Sequence, residues 1–169
     1  MVRRASLLAL ALASAVACAT APQPQDPGAV ALAYATAGRF DEAAREVELA
    51  VRARPEDAAL RRQAGQIQSQ AGNLPRAVEH LEVAIRLAPR DPETWIALGE
   101  VETRRRNAPD AYVAFRRAVE LAPTDVRGVS GLAISADTLG FDAEADLAYA
   151  RWAELDPTAP APVRPKKRP

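Results

Sequence analysis

Two residue types on which chemistry often turns occur once each in this 169-residue sequence, His80 and Cys18. Catalysis needs a base beside a nucleophile, or a set of metal ligands, and one histidine with one distant cysteine builds neither. His80 stands between Glu79 and Glu82 on the polar side of a helical pattern, which predicts a solvated surface residue. The carboxylate pairs Asp41-Glu42 and Glu56-Asp57 fall where helices start, and there they offset the positive end of the helix dipole. No phosphate-cradling GxxxxGK[ST] occurs, and GLAISADTLG and ALGEVE lie inside helical patterns rather than at strand-to-helix turns. The sequence therefore predicts no enzyme, no cofactor and no metal site, which leaves recognition.

Cys18 has a different context. Arg3 and Arg4 precede an apolar run of 13 residues, Ala5 to Ala17. A membrane-spanning helix needs about 20 residues, so this run fits the core of an export signal. Ala15-Val16-Ala17-Cys18 at its foot resembles a bacterial lipobox, in which the cysteine receives lipid and becomes the new N-terminus. On that resemblance residues 1–17 are a lipoprotein signal peptide and 18–26, with PQPQD, a Pro-rich tether. Ala19 in place of Asp resembles the lipoproteins sent on to an outer membrane, facing the periplasm, and each buried CH₂ of the acyl chains would add about 0.8 kcal/mol. Cleavage near Ala19 or Ala21, giving a soluble periplasmic protein, is the competing expectation. In either case a single cysteine excludes an internal disulfide, so stability must come from packing.

The composition suits packed helices. Hydrophobic residues make up 49% and charged residues 26%, aromatics are only 5%, and alanine recurs throughout, which favours an all-α fold over a sheet built on Val, Ile and aromatic strands. The 22 basic and 22 acidic residues balance, but Arg3, Arg4, Arg164, Lys166, Lys167 and Arg168 lie at the ends, so the body is acidic with 16 basic against 22 acidic residues. That is not the electrostatic footprint of a nucleic-acid binder.

The organisation lies in a repeat of 34 residues. Pro55, Pro89, Pro123 and Pro157 keep that spacing, as do Ala43, Ala77, Ala111 and Ala145, and Gly38, Gly72 and Gly140 share the phase. Each period reads as two helices. In LPRAVEHLEVAIRLAP, Ala77, Val78, Leu81, Ala84, Ile85 and Ala88 draw one apolar stripe at three- and four-residue steps. Glycine at the inner turn ends the first helix and proline prevents continuation of the second, and in the third period Asn107 is expected to take the glycine's turn. Asp91-Pro92-Glu93 reads as an N-cap, a first-turn proline and an acidic first turn. The predicted pairs are 27–37 with 41–54, 57–71 with 75–88, 91–106 with 109–122, and 125–138 with 142–155. One pair cannot bury its own stripe, so the four must stack into a curved array spanning 27–157.

Period, two-helix unit and residues together resemble the tetratricopeptide repeat, most fully in Trp95-Ile96-Ala97-Leu98-Gly99, Ala111, Phe115, Ala118 and Pro123. The resemblance implies a right-handed α-solenoid of about four helix-turn-helix units, with Tyr34, Trp95 and Phe115 as packing residues. It also implies a concave groove, made by the first helix of each pair, that holds a protein partner or an extended peptide. The groove-facing places fall on Arg62, Gln63, Gln66 and Gln70 in the second repeat, Glu100 and Arg104 in the third, and Arg127, Ser130 and Asp137 in the fourth, with Gly28, Leu32 and Ala35 in the first. Chaperone-binding members clamp a terminal carboxylate with a lysine and an asparagine at places that here hold Gly28 and Leu32, so no such clamp is expected.

The expected function is a non-enzymatic, lipid-anchored scaffold of the bacterial envelope that assists assembly of a pilus, secretion or outer-membrane complex. The alternative is a soluble or anchored periplasmic adaptor that regulates an envelope protease or cell-wall hydrolase. Residues 158–169 read as a disordered, Pro-rich basic tail. Trp152, Leu147 and Leu155 on the uncapped last helix are expected to expose apolar surface, which a partner, a second copy or the tail would cover.

Overall fold

The computed structural model describes residues 26–157; the expected leader, Cys18 and most of the tether lie outside the described residues, as does the tail 158–169. Eight helices follow in order: α1 Pro27–Thr36, α2 Phe40–Ala53, α3 Ala58–Gln70, α4 Leu74–Leu87, α5 Pro92–Arg104, α6 Ala108–Leu121, α7 Val126–Leu139 and α8 Asp142–Leu155. No strand occurs among the described residues, and each predicted helix is found with ends within two residues of its expected bounds. Helix follows helix in contact along the chain, and α3 meets α5 and α5 meets α7 across one face. The array is an α-solenoid of four helical hairpins.

The local chemistry repeats with the period. Asp57 and Asp125 cap α3 and α7 with carboxylates that accept from the backbone N–H of Leu60 (3.0 Å) and Arg127 (2.9 Å). Asp91 holds the same place before α5, but its Oδ2 accepts from the Thr94 hydroxyl and from Arg62, each at 2.6 Å, so this cap also ties α5 to the preceding repeat. Gly38, Gly72 and Gly140 turn the chain with positive φ. In the third repeat that turn is made by Arg106, at φ 60°, and not by Asn107 as expected. The period fixes the left-handed position at Arg106, whereas Asn107 is the N-cap of α6 and its amide donates to Glu102 and Asp110.

The core is threaded by small residues. Ala43, Ala77, Ala111 and Ala145, one per repeat, are fully or almost fully buried, which lets the two helices of each hairpin approach closely. Larger side chains fill the joints between repeats: Val47, Leu81 and Phe115, spaced by the period, are buried, each contributing about 1.5–3 kcal/mol by leaving water. Phe115 lies so close to Gly99 of α5 that a Cβ there would meet its ring at 2.7 Å, and it crowds Gly131 of α7 in the same way. Tyr34 and Trp95 pack against core clusters as expected. Trp95 also donates its indole N–H to the Pro89 carbonyl at 3.0 Å, pinning α5 to the turn before it.

His80 departs from expectation. It is 2% exposed rather than solvated, because α4 is an inner helix that packs on α3 and also faces the Glu48 side chain of α2, so its buried arc is wider than one stripe.

Candidate functional site

The first helix of each hairpin lines one continuous concavity. One hollow, about 500 Å³, takes Leu32 and Ala35 from α1, Gln63, Gln66 and Gln70 from α3, and Glu100 and Arg104 from α5. A second, about 340 Å³, is walled by Glu100, Thr103 and Arg104 of α5 and by Arg127, Ser130 and Ile134 of α7, over a floor that includes Phe115. A third, about 490 Å³, brings Gly28 and Leu32 together with Arg62, Gln63 and Gln66. Eight of the nine groove residues named from the second, third and fourth repeats line this concavity, as do Gly28, Leu32 and Ala35.

Asp137 lines none of these three hollows. It stands one period after Thr103 and two after Ser69, and Ser69 is closed over by Arg104 of the following first helix. No such helix follows α7 among the described residues, so Asp137 has no opposing wall. Ile134, half exposed on that wall, was not among the expected residues. Its signal was the period itself, since Leu32, Gln66, Glu100 and Ile134 are successive members of one register.

The arginines of the groove are already committed. Arg62 donates to Asp91 at 2.6 Å, Arg104 to the Ser69 carbonyl and hydroxyl at 2.5 and 2.6 Å, and Arg127 to Glu93 and Asp125. All but the Arg127–Asp125 bond run between successive repeats and tie the wall together. Arg127 beside Asp125 holds that carboxyl below its usual range, and the Thr94 and Arg62 bonds do the same for Asp91 against the opposing effect of burial. Gln63, Gln66 and Gln70 differ: none of their side-chain amides has a hydrogen bond among the described residues. Spaced by three and four residues on α3, they form a row of paired donors and acceptors along one helix face. Glu100 beside them has its pKa raised, first by partial desolvation in the concave wall.

A second polar cluster lies behind the groove. Glu48 of α2 accepts from Gln68 Nε2 at 2.8 Å, from His80 Nε2 at 2.8 Å and from Arg76 through both carboxylate oxygens. Arg61 lies 3.4 Å from His80 Nδ1, which leaves that nitrogen as acceptor and puts the ring proton on Nε2, facing Glu48. Burial alone would raise the Glu48 carboxyl, but the bonds from Arg76 and His80 outweigh it and bring it down to about 2. The contacts of this cluster run across three helices and lock the first joint, and Glu48 and Gln68 also border a hollow of about 450 Å³ with Asp41, Arg45 and Asn73.

Helical hairpins at a fixed 34-residue period, presenting a polar concave wall, define a repeat scaffold. Residues 29–92 and 62–126 match the tetratricopeptide repeat family model, and the chain belongs to that family. Among solved structures it is similar in fold to MamA: one, titled "Crystal structure of MamA", shares 23% identity over 76% of this chain and 75% of that one, with a TM-score of 0.71. MamA 41-end from Desulfovibrio magneticus RS-1 shares 21% identity over 79% and 77% of the two chains, with a TM-score of 0.72. At these identities the likeness is one of fold. No curated protein matches the sequence.

Proposed function

We propose that this chain is a non-enzymatic adaptor that holds an extended polar segment of a partner protein along its concave wall. The observation that carries the reading is the row Gln63, Gln66 and Gln70, whose amides face the open groove while the neighbouring arginines are tied into the scaffold. Glutamine amides both donate and accept, so they suit the alternating N–H and C=O groups of an extended backbone. With Arg62, Arg104 and Arg127 engaged, the groove favours a backbone over a terminal carboxylate. Replacing the three glutamines with alanine should abolish partner capture while leaving the melting temperature unchanged; retained capture would refute the reading.

The lipobox-like Ala15-Val16-Ala17-Cys18 and the spacer after it support an anchor at the bacterial envelope, with the array held on the periplasmic side of the outer membrane. A tethered scaffold of this kind serves assembly of a pilus, secretion or outer-membrane complex, where a partner must be held near a membrane. Alkyne-palmitate labelling of wild type but not of Cys18→Ala, in the outer-membrane fraction, is the expected result. Absence of label on both would place the array free in the periplasm.

A further inference from the structure

One register of the concave wall changes character from helix to helix. Gln66, Glu100 and Ile134 are spaced by the 34-residue period, so α3, α5 and α7 present an amide, a carboxylate and an aliphatic side chain in succession. The amide belongs to the row already described. The other two make places of different chemistry along the same groove.

Glu100 is exposed, and its carboxylate takes no hydrogen bond or ion pair among the described residues. The guanidiniums beside it are held elsewhere, Arg104 on Ser69 of α3 and Arg127 on Glu93 and Asp125. Partial desolvation holds the Glu100 carboxyl above its ordinary range; Arg127 lowers it, and Glu93 and Asp125 raise it again as further negative charges. An unpaired carboxylate in such surroundings is complementary to a cation. One period on, the hollow of about 340 Å³ between α5 and α7 is lined by the Phe115 ring and by Ile134, which is 47% exposed. The ring reaches this hollow beneath Gly131, where the same register carries Gln63 in α3 and Ala97 in α5. A Cβ at Gly131 would collide with it.

The spacing of the wall sets the spacing of what it reads. Helices packed as α3 on α5 and α5 on α7 lie about 8–10 Å apart. A chain in the extended left-handed helix advances about 9.3 Å in each three-residue turn, so it offers every third side chain to the wall, one per helix. We infer that the groove selects a partner segment with a lysine or arginine at Glu100 and, three residues before or after it, an aliphatic or aromatic side chain in the hollow between Ile134 and Phe115. The inference rests on the concave wall being a peptide groove and adds what that groove selects. The glutamine row holds backbone, whereas Glu100 and Ile134 choose side chains.

A display library of random peptides, selected on the purified full chain, tests this. Enriched peptides should carry a basic residue three positions from an aliphatic or aromatic one. Glu100→Lys should weaken a selected peptide about tenfold, because like charges then meet, and exchanging the peptide's basic residue for glutamate should recover binding. Ile134→Ser should weaken the same peptide through its apolar residue, with the basic preference kept. Circular dichroism should show an intact array for both variants, since both side chains are exposed. Peptides enriched without the basic residue, or bound equally by Glu100→Lys, overturn the inference. If such peptides lose binding to the chain carrying Gln63→Ala, Gln66→Ala and Gln70→Ala, the groove stands and only its selectivity is refuted; if they keep it, the groove reading falls too. Failure to enrich any peptide overturns both.

Discussion

Glu48 and Phe115 stand at two joints of the same array, between the first and second repeats and between the third and fourth, and they meet the next hairpin in opposite ways. At the first joint a carboxylate gathers Gln68, Arg76 and His80 from the following pair. At the last an aromatic ring lies between Gly99 and Gly131, closer to each than a side chain there would allow. The stacking is alike, but the sensitivities differ. The aromatic joint depends on shape, and its glycines are there because any side chain would collide with the ring. The polar joint depends on charge and on complete satisfaction of its buried groups, so it responds to pH and to the loss of one partner.

Breaking the aromatic joint should have the largest effect. Phe115→Ala leaves a cavity between α5 and α7 and should cost about 4 kcal/mol, measured by urea unfolding. Loss of cooperativity between the two halves of the array is the expected companion, since each hairpin is stabilised by its neighbours. Glu48→Ala should cost about 3 kcal/mol by stranding His80 and Gln68 without their acceptor in the interior, a penalty that shape restoration at this site does not relieve.

Acid separates the joints further. The Glu48 carboxyl is held at about 2 in the folded array against an ordinary value of 4.5, so its contribution is complete above pH 4.5 and is lost as pH falls from there through 2. The loss should reach about 3 kcal/mol, and Glu48→Gln should flatten this part of the pH–stability curve while leaving the Phe115 joint untouched. The smallest effect sharpens the comparison between second and third repeats, which turn at Gly72 and Arg106. Arg106→Gly should stabilise the array by about 0.7 kcal/mol by relieving a left-handed arginine, read as a small rise in melting temperature.

Much of this architecture was written in the period. The eight helices, their ends and most of the groove follow from registers of 34 residues, because each hairpin must present the same faces to its neighbours. What escaped were places where one side chain answers a neighbour a full repeat away. His80 looks solvated when its own helix is read alone, and only the approach of Glu48 from α2 buries it. Asn107 looks like the turn residue by type, but the phase assigns the turn to Arg106 and gives the asparagine to Glu102. Asp137 shares a register with groove residues, yet among the described residues no first helix follows α7. Ile134 belongs to the same register as Gln66 and Glu100, and its apolar type hid it.

Both joints serve one end, which is to hold α1, α3, α5 and α7 in register so that their side chains form one wall. The most direct test of that account is a photoreactive residue placed in living cells at Gln66 on the concave wall and, separately, at Glu79 on the exposed convex side of α4. A discrete partner adduct at position 66 that is absent at 79 and abolished by Gln63→Ala with Gln70→Ala is the predicted result. Adducts of equal yield at both positions, or at 79 alone, would contradict a recognition groove on the concave wall.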